Sequence, residues 1–326
     1  MANKITEIKC AIHELTIFAQ VKGLVIKSTG SLFNVKLENG RIIPCRIRGN
    51  LRLKTFEATS PVTVGDHVEV DYREGDDAGM IEELKERKNY IIRKSVKLSK
   101  QIQVIAANID RAFVIATPVF PKTSLGFIDR FLATAEAYSI SGGIIFNKSD
   151  LYTKEVSGQV NEFRNLYEPL GYKVMIVSAL DKSSMERLKT ELSGKVNLFS
   201  GHSGVGKSSI INALVPGINL KTSAISEQHL KGTHTTTFAE MHELPGGGFI
   251  IDTPGIREFG TIDFDTFEVS HFFPEIFKTG RSCQFNNCLH TNEVNCAVKE
   301  AVKSGAIALS RYESYLSILS NQDIFR

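Results

Sequence analysis

The chain has 326 residues, 42% of them hydrophobic and 23% charged, a balance typical of a soluble globular protein with two or three domains. Its formal net charge of +3 is too small to indicate a partner. The sequence has no apolar run of about 18 residues, and Glu7, His13 and Glu14 interrupt any apolar signal core. We therefore expect a cytoplasmic protein without a membrane span.

The first quarter of the chain predicts a small β-barrel after a lead-in segment, residues 1–20, to which we assign no role. Short runs rich in β-branched residues alternate with turn residues, and Asn39-Gly40 is a hairpin signal. Five such strands within about 65 residues favour an OB-fold over residues 21–85. The predicted strands are Val21–Lys27, Leu32–Leu37, Ile42–Ile47, Val68–Tyr72 and Met80–Leu84.

Positive charge is concentrated in one part of this predicted barrel. Residues 36–54 contain six basic side chains and a single acidic one, Glu38. Such a patch suits a polyanion, but a solvated strand face explains one patch more simply, and both interpretations stay open. The bases are Lys36, Arg41, Arg46, Arg48, Arg52 and Lys54.

An α/β pattern begins after a basic, polar stretch, residues 86–103, which we predict to be a linker. Strands that alternate with helices of this length predict a parallel sheet with helices on both faces, over residues 104–264. The predicted strands cover residues 110–117, 143–146, 173–177, 196–199 and 248–251, and the predicted helices cover 125–138, 154–170 and 182–192.

Residues 201–208 read GHSGVGKS and match the phosphate-binding P-loop pattern GxxxxGK[ST], between a predicted strand and a predicted helix. Its glycines let backbone N–H groups turn toward phosphate oxygens, Lys207 neutralises phosphate charge, and Ser208 offers a hydroxyl to Mg²⁺. The predicted nucleotide-binding residues here are Gly201, His202, Ser203, Gly204, Val205, Gly206, Lys207, Ser208 and Ser209.

Two elements further on complete a site for the γ-phosphate. Asp252-Thr253-Pro254-Gly255 is a DxxG element in which Asp252 would reach Mg²⁺ and the Gly255 N–H would meet the γ-phosphate. The threonine-rich stretch over residues 231–237 would supply the switch I ligand of Mg²⁺, for which we choose Thr236, although spacing alone does not separate it from its neighbours.

The residue that would orient the attacking water is not evident. Ile256 stands where Ras-like enzymes carry a glutamine, and an aliphatic side chain cannot position water, so unassisted hydrolysis should be slow. His234 and His271 are candidates, but for each a structural or surface role is the simpler explanation.

Guanine specificity is predicted by an NKxD element, Asn147-Lys148-Ser149-Asp150, that directly follows a predicted strand. The Asp150 carboxylate would accept two hydrogen bonds from the guanine edge, and adenine has no matching pair of donors. Asn147 would contact the base and help to link the elements of the site, and the aliphatic part of the Lys148 side chain would lie on the base. Ser178-Ala179-Leu180 resembles the SAx element of GTPases, whose alanine N–H meets the guanine carbonyl.

The order of these motifs is circularly permuted. Ordinary GTPases run from the P-loop through DxxG to NKxD and SAx, whereas here NKxD and SAx precede the P-loop. The chain leaves the nucleotide site directly after DxxG, so we expect the nucleotide state to be coupled to the C-terminal region.

The last region, residues 265–326, is predicted to be helical around a structural zinc site. Three thiols and one imidazole within 14 residues match a closed Cys₃His set, and the alternative is a chance grouping of reduced thiols. With five cysteines in total and Cys10 and Cys45 standing alone, a disulfide framework is not expected. The predicted zinc ligands are Cys283, Cys288, His290 and Cys296, and neighbouring residues that either face RNA or pack the helices are Arg281, Phe285, Lys299, Lys303, Arg311 and Tyr312.

Taken together, these motifs resemble the ribosome small subunit-dependent GTPase A family (RsgA, also called YjeQ) over residues 21–320. The phrases GLVIKSTG (23–30), RGNLRLK (48–54) and DTPGIREFG (252–260) are similar to that family as well. The resemblance implies an OB-fold, a permuted GTPase domain, one structural Zn²⁺ and Mg²⁺ with GTP. It also implies binding to the small ribosomal subunit and its 16S rRNA, stimulation by it, and a role in late subunit maturation. Residues 1–20 have no counterpart.

Two other functions compete with a ribosome-stimulated GTPase. The chain could be an RNA-binding OB/zinc module in which guanine nucleotide is sensed and not turned over, an alternative that Ile256 keeps open. An ATP-dependent kinase would use the same P-loop but would give the NKxD element no role. Nothing in the sequence demands a dimer, so we expect a monomer.

Overall fold

The computed structural model describes residues 20–49, 61–94, 102–220, 239–252 and 265–320. Within these ranges no helix has both the length and the apolar character needed to cross a membrane.

The N-terminal part is a closed five-stranded barrel. Strand β1 pairs with both β2 and β4, and β3 and β5 pair in parallel, which closes the order β1-β2-β3-β5-β4 back onto β1. Side chains alternate across each strand, so Val25, Phe33, Val35 and Ile81 fill the interior with no exposed surface. The five-stranded barrel is confirmed, with β1 at Gln20–Ser28, β2 at Phe33–Leu37, β3 at Ile42–Ile47, β4 at His67–Asp71 and β5 at Gly79–Leu84.

Much of the positive charge on the barrel is matched by carboxylates. Lys36 forms an ion pair with Glu243, Arg48 pairs with Glu82, and Arg41 contacts Glu74 at 2.8 Å. These pairs favour the simpler interpretation of the basic patch as a solvated face for the residues concerned; Arg52 and Lys54 lie outside the described residues.

The stretch predicted as a linker contains regular structure. Strands β6 (Tyr90–Lys94) and β7 (Ile102–Ala107) form an antiparallel pair, and Val64 bridges to Ala106 beside the barrel. Because this stretch is rich in basic residues, its short apolar run Tyr90-Ile91-Ile92 was not predicted to be a strand. Ile91 is buried. The pairing partner of β6 lies beyond the intervening residues, so it is not visible in the local pattern.

Among the described residues, the central part contains six strands in the order β10-β9-β8-β11-β13-β12, which are parallel except for the antiparallel β12. Side chains of the first two helices pack in one hydrophobic cluster and those of the next two in another, so both faces of the sheet are covered. The strands are β8 (Arg111–Ala116), β9 (Ser141–Phe146), β10 (Lys173–Ile176), β11 (Val196–Ser200), β12 (Glu240–Glu243) and β13 (Phe249–Asp252), and the helices are α1 (Leu125–Ala137), α2 (Lys154–Tyr167), α3 (Lys182–Leu192) and α4 (Lys207–Leu214).

Strand β12 connects this sheet to the barrel. Lys27 of β1 is the Cα partner of Glu240 in β12, and the Lys27 ammonium contacts the Glu240 carboxylate at 3.1 Å. The sequence did not predict β12, because Glu240, His242 and Glu243 make its four residues largely polar.

The C-terminal part is helical, with α5 at Pro274–Gly280, α6 at Ala297–Lys303 and α7 at Leu309–Leu319. Its core joins the central part at Ala133 of α1, which packs in the same cluster as Phe273 and Tyr315. Arg311 is 1% exposed and contacts Asp129 of α1 at 2.8 Å. Arg311 therefore packs helices and does not face RNA.

Candidate functional site

The P-loop lies where the sequence places it, between the end of β11 and the first turn of α4. Gly206 caps α4 with φ of 92°, and Gly204 has φ of 85°, both in the left-handed region that favours glycine. A Cβ on Gly206 would lie 2.3 Å from the Asn147 amide nitrogen, and one on Gly201 would lie 2.5 Å from the Ile115 carbonyl oxygen. The glycines thus allow both the loop conformation and the close approach of its neighbours.

Asn147 joins the three predicted nucleotide elements. Its Nδ2 donates to the Val205 carbonyl at 2.8 Å, and its Oδ1 accepts from the Ala179 N–H at 3.2 Å. The residue is 1% exposed, so both bonds are shielded from water. One amide side chain therefore links the NKxD element to the P-loop and to the SAx element, across 58 and 32 positions of sequence.

The carboxylate predicted to recognise guanine is held by a neighbouring hydroxyl. Ser178 Oγ donates to Asp150 Oδ1 at 2.5 Å and itself accepts from the Leu180 N–H at 3.2 Å. Asp150 is exposed, whereas Ser178 is buried. The buried Ser178 hydroxyl thus orients Asp150, and the Asp150 carboxylate remains accessible to a ligand.

Lys148 and the loop after β8 meet beside this carboxylate. Lys148 has φ of 64°, and its ammonium donates to the Phe120 carbonyl at 2.7 Å. The same loop leads into α1, where the Phe127 ring contacts the His202 ring of the P-loop with centroids 3.8 Å apart. Phe120 and Phe127 were not predicted as site residues. The available signal was that Phe120 lies in the loop directly after β8, because strand carboxyl ends share one edge of the sheet, and Phe127 lies in the first turn of the helix that follows.

Lys207 and Asp252, which sequence analysis assigns to phosphate and Mg²⁺, form an ion pair. Their side chains are 17% and 12% exposed, so the pair is mostly shielded from solvent. Strands β11 and β13 are parallel neighbours, which places the start of the P-loop and the start of DxxG side by side. Thr236, Gly255, Ile256 and His234 lie outside the described residues.

The four predicted metal ligands converge at one point. The ligand atoms of Cys283, Cys288, His290 and Cys296 all lie within 4.8 Å of one another. The His290 Nδ1 atom is 3.6 Å from Cys283 Sγ and 3.4 Å from Cys296 Sγ, and the two sulfurs are 3.9 Å apart. Tetrahedral zinc bonds of about 2.3 Å to sulfur and 2.1 Å to nitrogen give edges of about 3.8 and 3.6 Å, so the distances among Cys283, His290 and Cys296 fit Zn²⁺.

Burial shifts the pKa values of this cluster, and backbone contacts fix its turn. Burial lowers the pKa of His290 although the Glu293 carboxylate opposes the shift, and a lowered pKa favours the neutral imidazole that a metal ligand requires. Burial raises the pKa of the Cys288 thiol to about 12, so its thiolate form needs a nearby cation. The Glu293 carboxylate also accepts N–H bonds from Leu289 and Thr291, both at 2.7 Å, which fixes the turn that carries His290.

His271, considered as a hydrolytic candidate, lies in the C-terminal part. Its ring contacts the Phe277 ring edge-on at 4.8 Å and lines a cleft beside the cysteine cluster. This contact supports the simpler explanation, a structural role, and a role for His271 in hydrolysis stays a prediction.

Comparison with known proteins identifies the family. Residues 84–262 match the model described as RsgA GTPase, and residues 22–81 match the RsgA N-terminal domain. The chain belongs to the RsgA GTPase family. RsgA proteins called small ribosomal subunit biogenesis GTPase include one from Bacteroides fragilis strain YCH46, which is 50% identical, with 93% of this chain and 97% of that protein covered. The RsgA of Flavobacterium johnsoniae is 49% identical, with 92% and 93% covered.

Solved structures confirm the RsgA architecture. YjeQ from Thermotoga maritima superposes with a TM-score of 0.77 at 33% identity, covering 94% of this chain and all of that one. YloQ, described as a circularly permuted GTPase, superposes with a TM-score of 0.74 at 28% identity, covering 93% and 96%. The predicted fold class, a barrel followed by a permuted GTPase domain and a helical region with a Cys/His cluster, is therefore confirmed.

Proposed function

We propose that this protein hydrolyses GTP to GDP and phosphate, that the small ribosomal subunit binds and stimulates it, and that it assists late maturation of that subunit. The nucleotide-binding part of this proposal rests on Asn147, whose side chain forms hydrogen bonds with both the P-loop and the SAx element. That contact supports a single nucleotide site, because it links the loop 201–208 to the NKxD element that carries Asp150. The ribosomal part is supported by relatives of 48–50% identity that are called small ribosomal subunit biogenesis GTPases.

Each element has a chemical task in this proposal. The loop 201–209 would bind the phosphates. Lys207 would exchange its ion pair with Asp252 for contacts to the phosphates and neutralise their charge, and Asp252 and Ser208 would bind Mg²⁺. Thr236 and Gly255 would complete the γ-phosphate site. Stabilisation of charge that develops on the phosphate oxygens is the main catalytic contribution expected of these groups.

The base would be read at the other end of the site. Asp150, held by Ser178, would accept from guanine, while the Ala179 N–H would meet the guanine carbonyl and Ser149 would border the base. The Lys148 stem would lie on the base, anchored at its ammonium by the Phe120 carbonyl.

We also assign one structural Zn²⁺ to Cys283, Cys288, His290 and Cys296. The support is the match of their spacing to a tetrahedral Cys₃His set. Four protein ligands would leave no position for water, so the ion would organise the helical region and would not act in hydrolysis. A cytoplasmic monomer is the simplest state consistent with this role.

The test is GTP turnover by purified protein with and without small ribosomal subunits, for the wild type, Lys207→Ala and the matched surface control Lys154→Ala. Stimulation that is lost only in Lys207→Ala is the expected result. Slow turnover that subunits leave unchanged would contradict the ribosomal part and would favour the alternative suggested by Ile256, an RNA-binding protein that only senses guanine nucleotide.

Base specificity has a separate test. Asp150→Asn should weaken GTP binding and strengthen XTP binding, because an amide donates to the xanthine carbonyl that replaces the guanine amino group. Equal GTP affinity of wild type and Asp150→Asn would refute guanine recognition by this residue, and preferential ATP use would indicate a kinase.

A further inference from the structure

A cleft of about 330 Å³ opens beside the cysteine cluster, between α5 and the loop that follows it. Three of the four predicted zinc ligands, Cys283, Cys288 and His290, contribute to its lining, together with His271, Phe277, Arg281, Phe285 and Asn286. We call this the aromatic cleft. It lies in the C-terminal part of the chain, and none of its lining residues belongs to the nucleotide motifs.

Two phenylalanine side chains of the cleft are exposed, and one of them, Phe277, contacts both Arg281 and His271. Phe277 and Phe285 are 38% and 43% exposed, although burial of a phenylalanine is normally favourable. The Arg281 guanidinium lies 4.9 Å from the Phe277 ring centroid, and the His271 ring meets the same phenylalanine at 4.8 Å. These two contacts orient the Phe277 ring and leave it partly exposed.

The charge around the cleft favours one class of ligand. The lining residues in the described part of the chain include Arg281 and no aspartate or glutamate. An uncharged planar group in the cleft, with an anion near Arg281, suits this lining.

We propose that the aromatic cleft binds one unpaired nucleotide of RNA. The base stacks on the exposed ring of Phe285, and the backbone phosphate contacts Arg281. Single-stranded bases stack on aromatic side chains and arginine planes in this manner, and Asn286 supplies polar atoms to the base edge. The inference rests on the proposed function, which makes the rRNA of the small ribosomal subunit the source of the nucleotide.

The first test measures the affinity of the protein for small ribosomal subunits at one fixed salt concentration, because RNA affinity depends on salt. Phe285→Ala should bind about 5- to 150-fold more weakly than the wild type, since a stacked base contributes that much. Phe285→Trp should restore binding, as it keeps a stacking surface. The matched control is Phe267→Ala, which removes a phenylalanine that is 63% exposed and outside the cleft lining. Unchanged zinc content and GTP affinity identify variants that are folded.

The two proposals fail in distinguishable ways. If subunits neither bind nor stimulate the wild type, the proposed function and this inference are both overturned. If the wild type is stimulated and Phe285→Ala binds subunits as tightly as Phe267→Ala does, only the aromatic cleft is overturned.

A second test identifies the class of partner. Full-length protein with p-benzoylphenylalanine at position 285 is irradiated on small ribosomal subunits, and the adducts are digested with ribonuclease or protease. Adducts that ribonuclease shortens are expected. Adducts with ribosomal proteins alone would show that the cleft binds a protein segment and would overturn the RNA proposal.

Discussion

Replacing Arg311 should detach the C-terminal helices from α1. Arg311 is 1% exposed, donates to both oxygens of Glu275 at 2.7 and 3.1 Å, and contacts Asp129, which is fully buried, at 2.8 Å. Burial alone would lower its pKa, but attraction to Asp129 and bonds to Glu275 outweigh that effect and raise it. Arg311→Met leaves two carboxylates without their cation, and breaking one side of a buried ion pair destabilises by about 3–5 kcal/mol.

The effect should appear as faster hydrogen exchange in α7 and α1, measured by mass spectrometry. A change of about 3–5 kcal/mol corresponds to roughly 10²- to 10³·⁵-fold more frequent opening. The triple variant Arg311→Met, Asp129→Asn, Glu275→Gln removes the stranded charges and should recover part of the protection. The exposed Arg281→Met is the control. If Arg311→Met exchanges no faster than this control, the buried network does not hold the two parts together.

Two further predictions concern the nucleotide loop and the metal. Gly206→Ala should weaken GTP binding at least tenfold in calorimetric titrations, because its Cβ would lie 2.3 Å from Asn147 Nδ2. The control is Gly217→Ala, since Gly217 has a similar φ of +82° and no neighbour within 4 Å. This control should bind GTP as tightly as the wild type. Equal losses in both variants would mean that backbone strain and not the contact matters. Cys296→Ser should reduce bound zinc, measured by mass spectrometry of metals, and lower the thermal stability of the helical region; undiminished stability after complete zinc loss would rule out a structural role for the ion.

The strands and helices that flank the nucleotide motifs were predictable, because each motif is short and contiguous. The P-loop needs two glycines, a lysine and a serine at fixed offsets, and these offsets follow from the way a backbone turns around a phosphate. The NKxD, SAx and DxxG elements each follow a buried strand whose apolar run is evident, and the strands β8, β9, β10, β11 and β13 begin and end within two residues of their predicted bounds.

Elements whose stability depends on distant partners were missed or misassigned. Strand β12 is mostly polar and is held by β13 on one side and β1 of the barrel on the other. Strand β6 lies in a basic stretch, which predicted a linker. Arg311 is a charged residue near the Cys/His cluster, so the sequence allowed the prediction that it contacts RNA. Its actual partner, Asp129, lies 182 positions earlier in the chain.

The sequence by itself determined which chemical groups this protein carries and that its motif order is permuted, because those are local facts of residue type and spacing. Only the tertiary structure decided that β4 closes the barrel on β1 and that Asn147 bonds to both the P-loop and Ala179. It also decided that Arg311 is buried against α1 and that Phe277 and Phe285 remain exposed. Burial and pairing depend on residues that are distant in sequence and are brought together by folding. The local periodicity of the sequence does not reveal which distant residues become neighbours.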